Sequence, residues 1–487
     1  MPNSARRDWA TQTSLANPAA PPKRAWLAHP STVVLTSFPP RECGIATFAR
    51  DLIGAVEGAT HLKGLARLAG PAPWVIAMND GDQPYAYGPQ VRMSICRDQR
   101  ADYARAARYV NAASHTQVVS IQHEYGLYGG EYGDYLLDFI RLVERPVVLT
   151  MHTVLEDPDP ALRQVTEALI QHSAMVVVLA QSARDILHAH YPNADLAKVV
   201  FIPHGTPAVR REPTRRYKRD LGLDGHTVLS TFGLLGPDKG IEHAIRALPE
   251  IVARHPDVVY LVLGQTHPGQ RRQGGESYRA MLEALVDELD LRDHVRFYNR
   301  YLSMAELLRF LQATDVYILP YLNPKQIVSG TLAYAVACGK AVVSTPFVYA
   351  REMLGDGRGE LARFRDPASI TRAVSAYLDD PAHKAAVEAR AYNFGLRMHW
   401  SSVGVTYCRL LRRVVEEHRA HLRAERSLAR RKLALQARQA LSIRPIAAGL
   451  GLAPGLRAAT SRPRVAAPGV AQARLAAASP AAEPARS

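Results

Sequence analysis

Residues 227–245 have the sequence TVLSTFGLLGPDKGIEHAI, which places an apolar strand, a glycine-containing loop and a helix in direct succession. Residues 33–52, VVLTSFPPRECGIATFARDL, repeat this order in the first half of the chain. Strands that are apolar on both faces and alternate with helices are typical of a parallel sheet that helices cover on both sides. The two stretches therefore predict an α/β protein with two Rossmann-like units.

Further apolar runs, each long enough for a strand, follow in both units. Between the units, residues 206–222 are polar, basic and contain proline but no strand pattern, so we predict the domain boundary there. Two such units predict doubly wound domains that face each other across a ligand-binding cleft. The predicted strands cover residues 33–38, 74–79, 118–123, 146–152, 175–180 and 199–205 in the first unit, and 227–233, 258–264, 295–299, 316–322 and 341–346 in the second.

The ends of the chain differ from the two units in composition. Residues 1–30 are rich in Pro, Ala and polar residues without periodicity, which predicts a disordered leader. After the second unit the pattern is helical to about residue 413, with an interruption at 393–395. The predicted parts are the leader at 1–30, an N-terminal domain at 31–207, a C-terminal domain at 208–394 and a basic helical or disordered tail at 416–487.

The positive charge is concentrated at the C-terminal end. The 487 residues carry a net charge of +15, yet residues 409–487 alone hold 16 Lys or Arg against 4 Asp or Glu, a net of +12. The remaining chain is close to neutral at +3, and no basic platform interleaved with aromatic residues indicates specific nucleic-acid recognition. Two interpretations of the tail stay open: a solvated extension, or a segment that binds an anionic membrane surface or a polyanionic partner.

Several functional classes lack their sequence signatures. The four cysteines form no C-x-x-C pair, and no apolar segment of signal-peptide or membrane-spanning length occurs. These features predict a cytoplasmic protein, at most peripheral to the inner face of the membrane. No strand is followed by G-x-G-x-x-G, a Walker loop or G-x-S-x-G, which counts against a dehydrogenase, a P-loop NTPase and a serine hydrolase. The histidine spacings indicate no metal site.

Two strand-to-helix junctions in the second unit contain groups that suit an anion. Lys239 follows a glycine-containing loop and is predicted on the first turn of a helix, where its charge and the helix N-terminus would both attract a diphosphate. Ser329 can cap the next such helix, which leaves the amides of Gly330 and Thr331 free for phosphate oxygens. A solvated lysine and a purely structural helix cap remain the alternatives.

Polar residues also follow the strands of the first unit. Gly44 lies between the first strand and its helix, where a glycine allows the backbone to approach a ligand. His123 and Glu124 end one strand, His152 ends another, and His204 follows a third. A tight turn at Gly44 and ordinary hydrogen-bonded loop histidines are the alternatives.

Taken together, these motifs resemble those of the family 4 retaining glycosyltransferases, which have the GT-B fold of two facing Rossmann-like domains. The resemblance extends from about Val33 to Arg413. In this family a last helix, here at about 395–415, returns to the N-terminal domain, and Trp400, predicted before that helix, also fits the family. The matching landmarks are Gly44, Thr150 to His152, IPHG at 202–205, Gly233, Lys239, Gly240, ACGKAVVSTP at 337–346, Glu352, Gly357 and Gly359.

The resemblance implies a transfer of sugar from a nucleotide-sugar donor to a carbohydrate or lipid-linked acceptor, with retention and without a metal or other cofactor, the nucleotide sugar being a co-substrate. The C-terminal domain would hold the donor and the N-terminal domain the acceptor. Lys239 would stabilise the nucleoside diphosphate leaving group, and His152 would approach the transferred sugar. The implied donor residues include Gly233, Ser329, Gly330 and Thr331, and the implied acceptor residues are Gly44, His123 and Glu124.

Three positions depart from the family pattern. Leu234 replaces an arginine five residues before Lys239, and Gln326 and Tyr334 replace the two acidic residues of the E-x7-E motif. Gln326 can still bond a sugar hydroxyl, Tyr334 can contact a ribose, and Arg300 is a candidate for the missing charge. A divergent enzyme and a catalytically weak or inactive GT-B protein that binds a sugar or nucleotide both fit these substitutions. A phosphorylase or sugar-phosphate synthase would need further phosphate-binding residues that the sequence does not show.

Overall fold

We analysed a computed structural model of the protein, which describes residues 29–61, 71–81 and 85–442. Residues 1–28 of the predicted leader and residues 443–487 of the predicted tail lie outside this part. The described chain divides into a compact unit up to Leu422 and a second unit that begins at Arg423. The first unit contains two parallel sheets, and the second is helical as far as Ser442.

The first sheet has seven strands, all paired in parallel, in the order β3-β2-β1-β4-β5-β6-β7. Most of their residues are fully buried, as the apolar runs predict. The strands are β1 Thr32–Thr36, β2 Trp74–Asn79, β3 Val91–Cys96, β4 Val118–His123, β5 Val147–Met151, β6 Met175–Val178 and β7 Val199–Phe201.

The second sheet has six parallel strands in the order β10-β9-β8-β11-β12-β13. The prediction of two doubly wound α/β domains is thus confirmed. The strands are β8 Thr227–Phe232, β9 Val258–Leu263, β10 Val295–Tyr298, β11 Val316–Leu319, β12 Ala341–Ser344 and β13 Glu360–Leu361.

Helices follow most strands and cover both sheets. They are α1 Gly44–His61, α2 Arg100–Ala112, α3 Leu136–Leu142, α4 Pro160–His172, α5 Gln181–His190, α6 Thr214–Asp220, α7 Ile241–Arg254, α8 Pro268–Gly274, α9 Ser277–Glu288, α10 Met304–Ala313, α11 Gly330–Ala337, α12 Val348–Leu354, α13 Pro367–Asp379, α14 Pro381–Gly395 and α15 Trp400–Ser442.

The sequence analysis did not predict strands β3 and β13 or helix α6. Strand β3 lies at a sheet edge and alternates exposed residues such as Arg92 with less exposed ones, so it lacks the apolar run of a central strand. Strand β13 has two residues, which is too short for a pattern. The polar stretch 206–222 contains no strand, as predicted, but does contain helix α6. The predicted interruption at 393–395 lies slightly later, at Leu396–His399.

Helix α15 packs against the N-terminal domain, as the family resemblance implies for its last helix. Val403, Tyr407 and Leu411 share one buried apolar cluster with Phe48 and Leu52 of helix α1. Gly404 permits this packing, because a Cβ atom there would overlap the carbonyl oxygen of Ala55. Helix α1 and the start of α15 are therefore held in backbone contact.

We predict opposite effects from one substitution at two helical glycines. Gly54→Ala should stabilise the protein by about 0.5–1 kcal/mol, because Gly54 is exposed in α1 and its Cβ would meet no atom within 4 Å. Gly404→Ala should destabilise it by about 1–3 kcal/mol, because the methyl group forces α15 away from α1. Urea unfolding of both variants measures the difference. Equal stability of the two would contradict the proposed packing.

Candidate functional site

The loops that follow β8 and β9 are joined backbone to backbone. The amide of Gly233 donates to the Leu263 carbonyl at 3.0 Å, and the amide of Leu235 donates to Gln265 at 2.9 Å. Gly264 has a φ of +133°, and a Cβ atom there would overlap the carbonyl oxygen of Gly233. Leu234, at the position of the family's arginine, lies within this joined loop. Its surroundings are therefore fixed by backbone contacts.

The prediction that Lys239 lies on the first turn of a helix is wrong. Lys239 ends a short 3-10 turn, Pro237–Lys239, and α7 begins two residues later at Ile241. Its Nζ atom is 2.8 Å from Oδ2 of Asp238 and 4.3 Å from the ring centre of Tyr321. Burial disfavours the ammonium charge, but Tyr321 and Asp238 more than offset this, so the pKa of Lys239 is raised. The next residue, Gly240, has a φ of +62°, and a Cβ there would overlap the Pro320 carbonyl oxygen. The turn thus holds a charged lysine at the carboxyl edge of the sheet.

The N-terminus of α11 lies beside this lysine. Ser329 caps the helix, as predicted, with its Oγ accepting from the amide of Leu332 at 3.3 Å. Thr331 Oγ1 lies 2.9 Å from Ser329 Oγ and 3.0 Å from the hydroxyl of Tyr321. The ring of this tyrosine is the one that Lys239 contacts. A Cβ atom on Gly233 would lie 3.5 Å from Thr331 Cγ2. Five predicted donor residues are thus brought together: Gly233, Lys239, Ser329, Gly330 and Thr331.

The residues at the two E-x7-E positions are more enclosed. The ring of Tyr334 stacks on Phe232 at a centroid distance of 6.4 Å, and burial raises its pKa. The amide nitrogen of Gln326 donates to the carbonyl of Val328 at 3.0 Å, so the side chain folds against its own loop.

Arg300, the candidate for the missing charge, follows strand β10. Its guanidinium group is half exposed and donates to Glu306 at 2.7 Å. Strand β9 separates β10 from β8, so Arg300 does not follow an immediate neighbour of β8. The adjacent Tyr301 does reach the other domain, with its hydroxyl 3.3 Å from Thr47 Oγ1. The structure therefore places the loop of Arg300 at the cleft but its guanidinium on Glu306.

His152 lies buried in the N-terminal domain just after β5. Its Nε2 donates to Oε1 of Gln122 at 3.0 Å, and its ring meets the edge of Phe48 at 4.7 Å. Burial, followed by the nearby His204 and His123, lowers the pKa of His152 to about 3. The imidazole is therefore neutral at pH 7 and is fixed in one tautomer by Gln122.

The other predicted acceptor residues lie at the same sheet edge. His123 is fully buried and stacks on Tyr128, neither of its ring nitrogens has a hydrogen-bond partner within the described chain, and burial lowers its pKa to about 4. Glu124 accepts from the Thr153 hydroxyl at 2.6 Å and has a pKa raised by burial. Gly44 begins α1, and its Cβ position has no atom within 4 Å, so the space before the helix is open.

His204 and Phe48 connect the two halves of the site. The Phe48 ring lies edge-on to His152, His204 and Trp400 at 4.7, 5.0 and 5.2 Å. His204 Nε2 lies 3.3 Å from where a Cβ on Gly330 would be, and burial lowers its pKa to about 4. Sequence analysis noted His204 as a strand-end residue but did not include Phe48, because an apolar residue in a helix looks like ordinary core.

The two Rossmann-like domains meet directly across this cleft. Lys325 pairs with Asp157 at 2.6 Å, and Gln265 donates to Glu42 at 2.6 Å. Within the described residues, no group of three or more His, Cys, Asp and Glu side chains is arranged to hold a metal ion. Across residues 29–61, 71–81 and 85–442, no helix has the length and apolarity needed to cross a membrane.

Sequence comparison agrees with this geometry. Residues 214–394 match the family described as glycosyl transferases group 1. The match covers most of the second domain. The chain is 31% identical over 189 residues to the phosphatidyl-myo-inositol mannosyltransferase of Mycolicibacterium smegmatis, covering 38% of this chain and 45% of that protein. It is 28% identical over 313 residues to the D-inositol 3-phosphate glycosyltransferase of Kineococcus radiotolerans, covering 58% and 69%.

Solved structures show that both domains together have the GT-B fold of glycosyltransferases. The sucrose-phosphate synthase of Thermosynechococcus elongatus superposes with a TM-score of 0.63 at 17% identity, covering 80% of this chain and 100% of that one. The Anabaena HepE protein in complex with UDP and glucose superposes with a TM-score of 0.59 at 15% identity, covering 78% and 99%. The residues that match the group 1 family thus form the second half of a two-domain arrangement.

The buried histidines predict a loss of stability in weak acid. In the unfolded chain, His123 has its ordinary pKa of about 6.5, whereas burial lowers its pKa in the folded protein to about 4. Protonation between these two values favours the unfolded chain, so stability is full above pH 6.5 and falls as the pH drops. Between pH 7 and 5 this costs about 2 kcal/mol for each such histidine. His123→Phe should therefore show a smaller drop in its free energy of unfolding by about that amount. An unchanged drop in urea unfolding at the two pH values would contradict the assignment.

Proposed function

We propose that the protein is a glycosyltransferase that moves a sugar from a nucleotide-sugar donor to a carbohydrate or lipid-linked acceptor, with retention and without a metal ion. The observation that carries this proposal is the convergence of Gly233, Lys239 and the N-terminus of α11 in one site opposite His152. The match to the group 1 family supports it, as do the names of the relatives, which are mannosyl- and glycosyltransferases.

The donor diphosphate would lie between Lys239 and the start of α11. The free amides at Gly330 and Thr331 and the positive end of the helix dipole suit phosphate oxygens. Lys239 then stabilises the negative charge that develops as the bond from the sugar C1 to the phosphate breaks. Its contact with the Tyr321 ring keeps the ammonium group beside the helix N-terminus.

The acceptor would enter from the side of Gly44, His123 and Glu124. Its hydroxyl oxygen bonds to C1 on the face from which the diphosphate departs, and the hydroxyl proton passes to the leaving phosphate oxygen. This route retains the configuration without a carboxylate nucleophile. His152, neutral and oriented by Gln122, is positioned to contact the transferred sugar.

The substituted donor positions would have weaker roles than the acidic and basic residues of the family. Gln326 can turn from Val328 to a sugar hydroxyl, and Tyr334 can shield the nucleoside. Arg300 can supply positive charge if it exchanges Glu306 for the diphosphate. Leu234 contributes backbone groups only, because its side chain has no polar atom.

A panel of nucleotide sugars tests the activity. We expect release of nucleoside diphosphate from at least one donor, and a turnover in Lys239→Gln that is lower by about a hundred- to a thousandfold. Lys198→Gln is the matched control: it also removes a lysine charge, but Lys198 lies in the N-terminal domain, at the amino end of β7 and thus away from the carboxyl edge that faces the cleft. Coupled-enzyme detection of the diphosphate measures both.

The same series separates an enzyme from a binding protein. A donor that raises the melting temperature without being cleaved would favour the inactive GT-B alternative, and a panel with neither effect would reject both for those donors. Arg300→Ala, titrated with the donor, should show a raised dissociation constant. An unchanged constant would remove Arg300 from the donor site.

The basic tail would bring the enzyme to an anionic membrane surface, where lipid-linked acceptors lie. Residues 423–438 of α15 are exposed and carry six basic residues against one acidic residue. Leu428, Leu433 and Leu435 are also more than half exposed. Basic helices with exposed apolar side chains bind anionic lipid surfaces, with a contribution of about 1 kcal/mol for each Lys or Arg near the surface.

Deletion of residues 416–487 should abolish binding to vesicles that contain phosphatidylglycerol and leave turnover with a soluble acceptor intact. Phosphatidylcholine vesicles are the control, because they lack the net negative charge. Sedimentation of the full chain and of the shortened chain with both vesicle types measures the effect. Equal sedimentation with both vesicle types would reject the electrostatic role, and lost turnover would mean that the segment belongs to the fold.

A further inference from the structure

The first turn of helix α5 is capped by a residue of the other domain. Ala180 occupies the N-cap position and has no side chain that can accept a hydrogen bond. Instead, Glu352 of α12 accepts from the amides of Gln181 and Ser182 at 2.9 and 3.0 Å through its two carboxylate oxygens. The hydroxyl of Ser182 donates to the same carboxylate at 2.8 Å. The carboxylate thus satisfies backbone donors that α5 cannot satisfy by itself.

This contact differs in kind from the other polar contacts across the cleft. The ion pair of Lys325 with Asp157 joins two largely exposed side chains, and such pairs contribute little to stability. Glu352 is only partly exposed, bonds to backbone amides and lies at the positive end of the α5 dipole. The stabilisation that this contact provides therefore depends on the position of α12 relative to α5.

The contact also lies close to the reacting groups. Helix α5 begins at the carboxyl end of β6, next to β5, which leads to His152. Helix α12 follows the loop after β12, next to β11, which leads to α11. Bringing Glu352 onto α5 therefore fixes the distance between the edge that carries His152 and the edge that carries Gly330.

We propose that Glu352 is a positioning residue that holds the two domains in the closed arrangement by capping α5 from the opposite domain. When the cleft opens, the first amides of α5 lose their acceptor, so closure and the order of this helix turn are coupled. The link to turnover rests on the glycosyltransferase function proposed above. The structural part of the proposal does not depend on that function.

Hydrogen exchange on the full chain tests the structural part. In Glu352→Ala, the amides of Gln181 and Ser182 should exchange about tenfold faster or more, because they lose a charged acceptor. Small-angle scattering should show a larger radius of gyration as the cleft opens. Glu250→Ala, which removes an exposed carboxylate from α7, is the matched control and should change neither quantity. Unchanged exchange at Gln181 and Ser182 would overturn the proposal.

A second variant separates positioning from simple stabilisation of α5. Adding Ala180→Ser to Glu352→Ala supplies a cap from within the helix, which should restore slow exchange at Ser182, the N2 position, but leave Gln181 fast and the radius of gyration enlarged. With an active donor, both variants should show lower kcat and an unchanged dissociation constant for the nucleoside diphosphate, which the proposed function places on the C-terminal domain. Recovery of both scattering and kcat by Ala180→Ser would overturn the positioning role. Absence of activity in the unmodified chain would instead count against the proposed function, and exchange and scattering would still decide the role of Glu352.

Discussion

The reversal of strand order in each parallel sheet is the constraint on which the site depends. In the second sheet, β8 has β9 on one side and β11 on the other, so the chain crosses over in opposite directions from β8 and from β11. The loops that leave these two strands diverge and open a crevice at the carboxyl edge. One loop carries Lys239 and the other leads to Ser329, and Tyr321 spans the crevice between them. The position of the candidate donor site follows from topology.

Helix N-termini supply much of the polar chemistry at this edge. The start of α11 is capped by Ser329 from within its own chain segment, whereas the start of α5 is capped by Glu352 from the other domain. Both solutions satisfy amides that a helix leaves unpaired. The first leaves amides available to a ligand, and the second uses them to hold the domains together. The unpaired amides at a helix start can thus bind a ligand at α11 and join the two domains at α5.

The N-terminal side of the cleft carries three buried, neutral histidines. His123, His152 and His204 have lowered pKa values because burial disfavours their charged forms. The charged Lys239 of the C-terminal domain therefore lies across the cleft from three histidines that are neutral at pH 7.

The sequence alone determined the fold class, most strands and the donor motifs, because apolar periodicity and glycine-containing junctions are local signals. Strand β3 and helix α6 were not predicted, because an edge strand and a short basic helix have the polar composition of a loop. The tertiary structure alone decided which distant groups meet. The packing of Phe48 against His152, His204 and Trp400 and the bond from Glu352 to α5 join residues far apart in the chain. No local pattern encodes such pairs, because they form only when elements from distant parts of the chain pack together.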